Sequence, residues 1–99
     1  MSSSGKKCLV SSYIGIDAEL AIDVGFQPSA VQILNMTTAS SAVKTQHMAG
    51  ETYLLVTTAA AVSGGSAGTG ILLSSTGFTV GTNDDINDAD DEFHFIAWE

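Results

Sequence analysis

The sequence predicts an all-β protein, a compact antiparallel β-sandwich, jelly-roll-like, of about seven to eight short strands. Three observations predict it. Apolar and polar residues alternate with period two in several short segments. Turn-forming residues separate most of those segments at close intervals. No stretch sustains a helical period, a heptad or an internal repeat.

The elements follow in order. Cys8–Ile14 is the first strand and Gly15 ends it. In residues 19–24, Leu20, Ile22 and Val24 share one face, while Glu19, Ala21 and Asp23 share the other. That is a half-buried strand with a wet side. Gly25-Phe26-Gln27-Pro28 then turns the chain, because Pro28 fixes its own φ and extends Gln27. Residues 30–37 resume with Val31, Ile33 and Leu34. Ser40-Ser41 reads as a turn and residues 43–48 as a weaker strand. Residues 52–58 are apolar on both faces. Ala59-Ala60-Ala61 favours a helical turn by propensity, stopped by Gly64 and Gly65. Ile71–Leu73 and residues 78–80 flank a Thr76-Gly77 turn, and residues 93–98 close the chain.

That last strand sets Phe93, Phe95 and Ala97 on one side and His94, Ile96 and Trp98 on the other. An outer sheet face is expected to be polar, so the strand is either covered on both sides or meets another subunit through an apolar patch. Phe93, Phe95, Ile96 and Trp98 are therefore candidate interface residues.

A chain of 99 residues forms one domain. Residues 8–99 are assigned to the sandwich and 1–7 to a flexible N-terminal arm. A chain of this size hides roughly 60–65% of its unfolded surface, so it gains from burying more against neighbours. Eleven acidic and three basic residues give a formal charge of −8, with no arginine. Too few cations are present to replace phosphate counterions, which argues against nucleic acid as a partner. A positive mean hydropathy argues against full disorder, and no apolar run is long enough to span a membrane. The lone Cys8 makes no internal disulfide and fits a small core position and a reducing cytoplasm. No secretory signal is evident before it.

Candidate chemistry is sparse, and no enzymatic activity is expected. Gly64-Gly65-Ser66-Ala67-Gly68 fits a nucleophile-elbow pattern, but Thr69-Gly70-Ile71-Leu72 continues as a strand where that mechanism needs a helix. A flexible glycine loop is the simpler reading. Residues 83–92 carry six carboxylates. Such density is relieved by solvent, a cation or a basic partner. Asp85, Asn87, Asp88 and Asp90 are candidate weak calcium ligands, although the glycine and spaced glutamate of an EF-hand loop are missing. His94 reads as a hydrogen-bonded strand histidine and His47 as a surface residue.

Three motifs carry a resemblance. They are Gly25-Phe26-Gln27-Pro28-Ser29-Ala30-Val31 after a strand, Gly77-Phe78-Thr79-Val80-Gly81, and the ending Phe93-His94-Phe95-Ile96-Ala97-Trp98. In this order they resemble a small β-sandwich module of tailed-phage virion proteins, both capsid-associated proteins and tail-fibre tips. The resemblance covers residues 20–34 and 70–98, and the acidic residues 83–92 depart from its usual shorter turn. It implies no catalytic residues and no cofactor.

A fibre tip needs a stalk, and none is read in this chain. The expectation is therefore a capsid decoration (cement) protein, made in the host cytoplasm and bound to the major capsid protein on the head exterior. It is expected to be a homo-oligomer, a trimer in preference. Lys6 and Lys7 in the arm are candidate contacts to an acidic capsid surface or a neighbouring subunit. The alternative is a tail-fibre or receptor-type glycan-binding module, with Tyr13, Tyr53 or Trp98 stacking on sugars.

Overall fold

In the computed structural model, which describes residues 6–57, 60–63 and 66–99, the chain folds as two antiparallel sheets packed face to face. Nine strands occur among the described residues: β1 (Cys8–Ile14), β2 (Leu20–Asp23), β3 (Ala30–Asn35), β4 (Ser40–Thr45), β5 (Tyr53–Val56), β6 (Ala60–Ser63), β7 (Ile71–Leu73), β8 (Gly77–Val80) and β9 (Glu92–Trp98). One helical turn, α1 (Asp84–Asn87), joins β8 to β9. The larger sheet has the order β1-β9-β3-β4-β5-β6 and the smaller β2-β8-β7. The all-β sandwich that the alternation predicts is the fold.

Period-two patterning puts the core between the sheets. Val31, Ile33 and Asn35 of β3 and Phe93, Phe95 and Ala97 of β9 point inward and are buried. Ile71, Phe78 and Val80 meet them from the smaller sheet. Phe78 sets its ring edge against Phe95 at 5.1 Å, and Tyr13 stacks on Phe93 at the same centroid distance. Edge-to-face and offset arrangements of this kind are the favoured ones for aromatic quadrupoles. Phe26 and Phe78, the aromatics of the first two motifs, are both buried.

Several expectations need correction. Phe93 and Phe95 are not available to another subunit, because β9 lies between β1 and β3 and both rings fill the protomer's own core. β4 begins at Ser40, so Ser40 and Ser41 pair with Asn35 and Leu34 in the sheet instead of turning. The strand β6 occupies Ala60–Ser63, where alanine propensity favours a helical turn; pairing with β5 overrides it. Cys8 is exposed on an edge strand, outside the core. Lys7 belongs to the β1–β9 ladder more than to an arm: its carbonyl accepts the Glu99 amide proton at 2.9 Å, and its own amide donates to Glu99 Oε1 at 3.1 Å. Residues 1–5 of the expected arm lie outside the described residues.

Candidate functional site

Asp84, Asp85, Asp88 and Asp91 gather with Asn35, Thr38 and Ser40 around an open cleft of about 410 Å³ at one end of the sandwich. The Asp88 carboxylate, more than any other cause, holds the Asp84 carboxyl above its usual range. Among the described residues no three His, Cys, Asp or Glu side chains converge to hold a metal ion.

Of the candidate calcium ligands, Asn87 is excluded by its own hydrogen bonds. It is fully buried, and its Oδ1 accepts the Ile16 amide proton at 2.9 Å. Its Nδ2 donates to the carbonyls of Ala18 and Gly81. The side chain is a latch tying α1 to the β1–β2 connection and to the end of β8. Asp85 and Asp88 are half-buried and Asp90 is exposed, with a left-handed φ of 68°. A turn of that hand is one that Asp and Asn tolerate better than most residues.

Lys44 is the side chain the sequence reading missed. The β4 alternation directs it inward with Ala42, and it is buried. Its Nζ donates to the carbonyls of Met48, Gly50 and Thr52 at 3.1, 2.6 and 2.8 Å. Burial pushes its pKa down, and the Glu51 carboxylate works in the opposite sense. With all three ammonium protons engaged, Lys44 closes the β4–β5 loop from within. The signal was present in the phase of Ala42-Val43-Lys44-Thr45, where Lys44 takes a core-facing position.

Among the described residues no nucleophile site assembles around Ser66. Ser66 is exposed in a turn that leads to β7 and not to a helix, while Gly64 and Gly65 lie outside the described residues. Glu51 anchors this loop by accepting the amide protons of Gly68 and Gly70 at 2.7 and 3.1 Å. His94 pairs with Glu92 at 2.6 Å on the sheet surface, and His47 is exposed in a turn. The sugar-stacking candidates divide. Tyr53 is buried with its hydroxyl bonded to Asn83, and Tyr13 donates to the Ile86 carbonyl at 2.6 Å. Trp98 alone of the three stays exposed.

The outward face of the larger sheet is the most unusual surface. Ile96 and Trp98 lie on it, as the alternation in β9 requires. Reading partners across the six strands gives the row Val10, Ile96, Gln32, Val43, Leu54, Val62. Five of its six members are apolar. Lys6 and Lys7 are exposed just before β1. No family model, curated protein or solved structure matches this chain. The functional reading therefore rests on the motifs and on this surface.

Proposed function

We propose that the chain is a structural protein of a tailed-phage virion, a decoration (cement) protein that binds the outside of the head shell as a homo-oligomer, in preference a trimer, and makes or breaks no covalent bond. The observation that carries the reading is the division of its surface. Carboxylates crowd around the α1 end, while the outward face of the six-stranded sheet carries an apolar row across its full width and five exposed large hydrophobic side chains. Such a division suits a building block with one face turned to neighbours and another to solvent. The three motifs support the same reading, since each contributes core aromatics to the sandwich: Phe26, Phe78, and Phe93 with Phe95.

The test is immunogold labelling of virions purified from a lysate of the phage that encodes the chain. Gold on the heads is expected. Gold on the tail tip selects the receptor-type alternative, and virions free of the protein overturn both.

A further inference from the structure

We infer that the outward face of the larger sheet is a self-association surface, occupied by another copy of the same face. A face that meets a copy of itself closes with two-fold symmetry, so the oligomer of the proposed function becomes a dimer and not a trimer; the inference does not rest on the capsid part.

Exposed apolar surface is concentrated on this face. Among the described residues eight large hydrophobic side chains are exposed. Five of them belong to this face: Val10 at 68%, Ile14 at 53%, Val56 at 38%, Val62 at 73% and Trp98 at 38%. Val10 and Val62 end one row across the sheet whose inner members are Ile96, Gln32, Val43 and Leu54, and Val56 and Trp98 lie in the rows on either side of it, which also carry Ser12, His94, Ser41 and Thr45.

Charge selects this face as well. Two chains of −8 repel each other in most orientations. Of the eleven carboxylates, Glu92 alone occupies an outward position of these six strands, at the end of β9 opposite Ile14 and paired with His94. No lysine occupies one, because Lys44 points inward. Two copies meeting here bring together one carboxylate each, Glu92 at the margin of the face, hydrogen-bonded to His94. A basic partner is drawn to the α1 end instead, so a near-neutral apolar face selects a near-neutral apolar partner.

Size and shape suit a second copy. Five inter-strand spacings make the face about 24 Å wide, and six residues make it about 20 Å long. That covers about 500 Å² per copy and about 1,000 Å² in all, the least that a specific interface needs. Two copies of one twisted sheet share hand and pleat, the condition for aligned sheet-on-sheet packing.

Two measurements test this on the intact chain. Native mass spectrometry at micromolar concentration is expected to show a dimer. The V10E/V62E variant is expected to be monomeric with an unchanged circular dichroism spectrum, its dissociation constant raised about 100-fold or more. The control Ala21→Glu, on the other sheet, is expected to keep the oligomer. Trp98 is the only tryptophan, so dilution of the unaltered protein is expected to red-shift its emission and increase its quenching by acrylamide. A monomer or a trimer at high micromolar concentration, or a dimer that persists in V10E/V62E, overturns the inference. Neither result bears on gold labelling of virions, so failure here leaves the capsid reading standing.

Discussion

Asn87 and Ile16 are joined across 71 residues of chain, the Asn87 side-chain carbonyl accepting the Ile16 amide proton at 2.9 Å in a part-buried setting. The same side chain donates to the carbonyls of Ala18 and Gly81. Removing it leaves one donor and two acceptors without this partner, the Gly81 carbonyl in a buried setting and the other two part-buried. Asn87→Ala is expected to cost about 3–5 kcal/mol by denaturant titration. Asn87→Asp keeps the acceptor but sets a carboxylate oxygen against two carbonyls, so it is expected to be no better tolerated. Wild-type stability in either variant would show that the latch contributes nothing.

Lys44 makes a second internal latch with opposite chemistry. Its ammonium satisfies three carbonyls of the segment between β4 and β5. Lys44→Met preserves the apolar stem and loses every donor. The expected loss is about 2–4 kcal/mol, read as a lower melting temperature. If a methionine here stabilises the protein, packing of the stem outweighs the three hydrogen bonds.

These two residues mark where the sequence stops being legible. Alternation located most strands and the inward sets of β3 and β9, because a half-buried sheet imposes period two on its residues. It did not fix which strands neighbour each other. The central position of β9 is decided by pairing between segments more than 50 residues apart, such as Ile33 with Phe95. For that reason Phe93 and Phe95 read equally well as core or interface. Asn87 looked like part of an acidic loop, since nothing local signals that its amide is consumed by Ile16, Ala18 and Gly81. Ser40 and Ser41 carry turn composition, yet their backbones pair in the sheet.

Two glycines are expected to behave differently on substitution. Gly77 pairs with Asp23 in the smaller sheet, and a Cβ on it falls 1.9 Å from the Ile22 carbonyl oxygen. The backbone of β2 must move to admit it. Gly50 has a left-handed φ of 52° and open space around its Cβ. Gly50→Ala therefore costs only conformational strain, about 1 kcal/mol. Gly77→Ala is expected to lose several times that by chemical denaturation. Equal effects would contradict the close β2–β8 approach.

The acidic end is expected to respond to ionic strength and not to calcium in particular. Asp88 raises the Asp84 pKa by repulsion, and salt screens exposed charges of this kind. With Asn87 unavailable and no convergent set of three ligands among the described residues, Asp85, Asp88 and Asp90 remain as scattered carboxylates. Melting temperatures in millimolar calcium and in chelator, matched for ionic strength with sodium chloride, are expected to coincide. A rise confined to calcium would restore the cation site.

Alkaline pH is expected to weaken the fold through its tyrosines. Burial, the largest cause, pushes the Tyr53 phenol up to about 12; donation from Asn83 opposes this and Asp85 adds to it. Burial raises the Tyr13 phenol as well. A phenol whose folded pKa exceeds its unfolded value binds its proton more tightly in the folded state. Its contribution is fully present below the unfolded pKa of about 10 and is lost as pH rises through the folded pKa. For Tyr53 the contribution is about 3 kcal/mol, one pKa unit being about 1.4 kcal/mol. Denaturant midpoints measured from pH 8 to 12 are expected to hold steady to about 10 and then fall. Tyr53→Phe is expected to lose about 1 kcal/mol at neutral pH with the Asn83 hydrogen bond, and to show a shallower alkaline fall than the parent. A parallel fall in both proteins would assign the alkaline limb to Tyr13 or to the backbone.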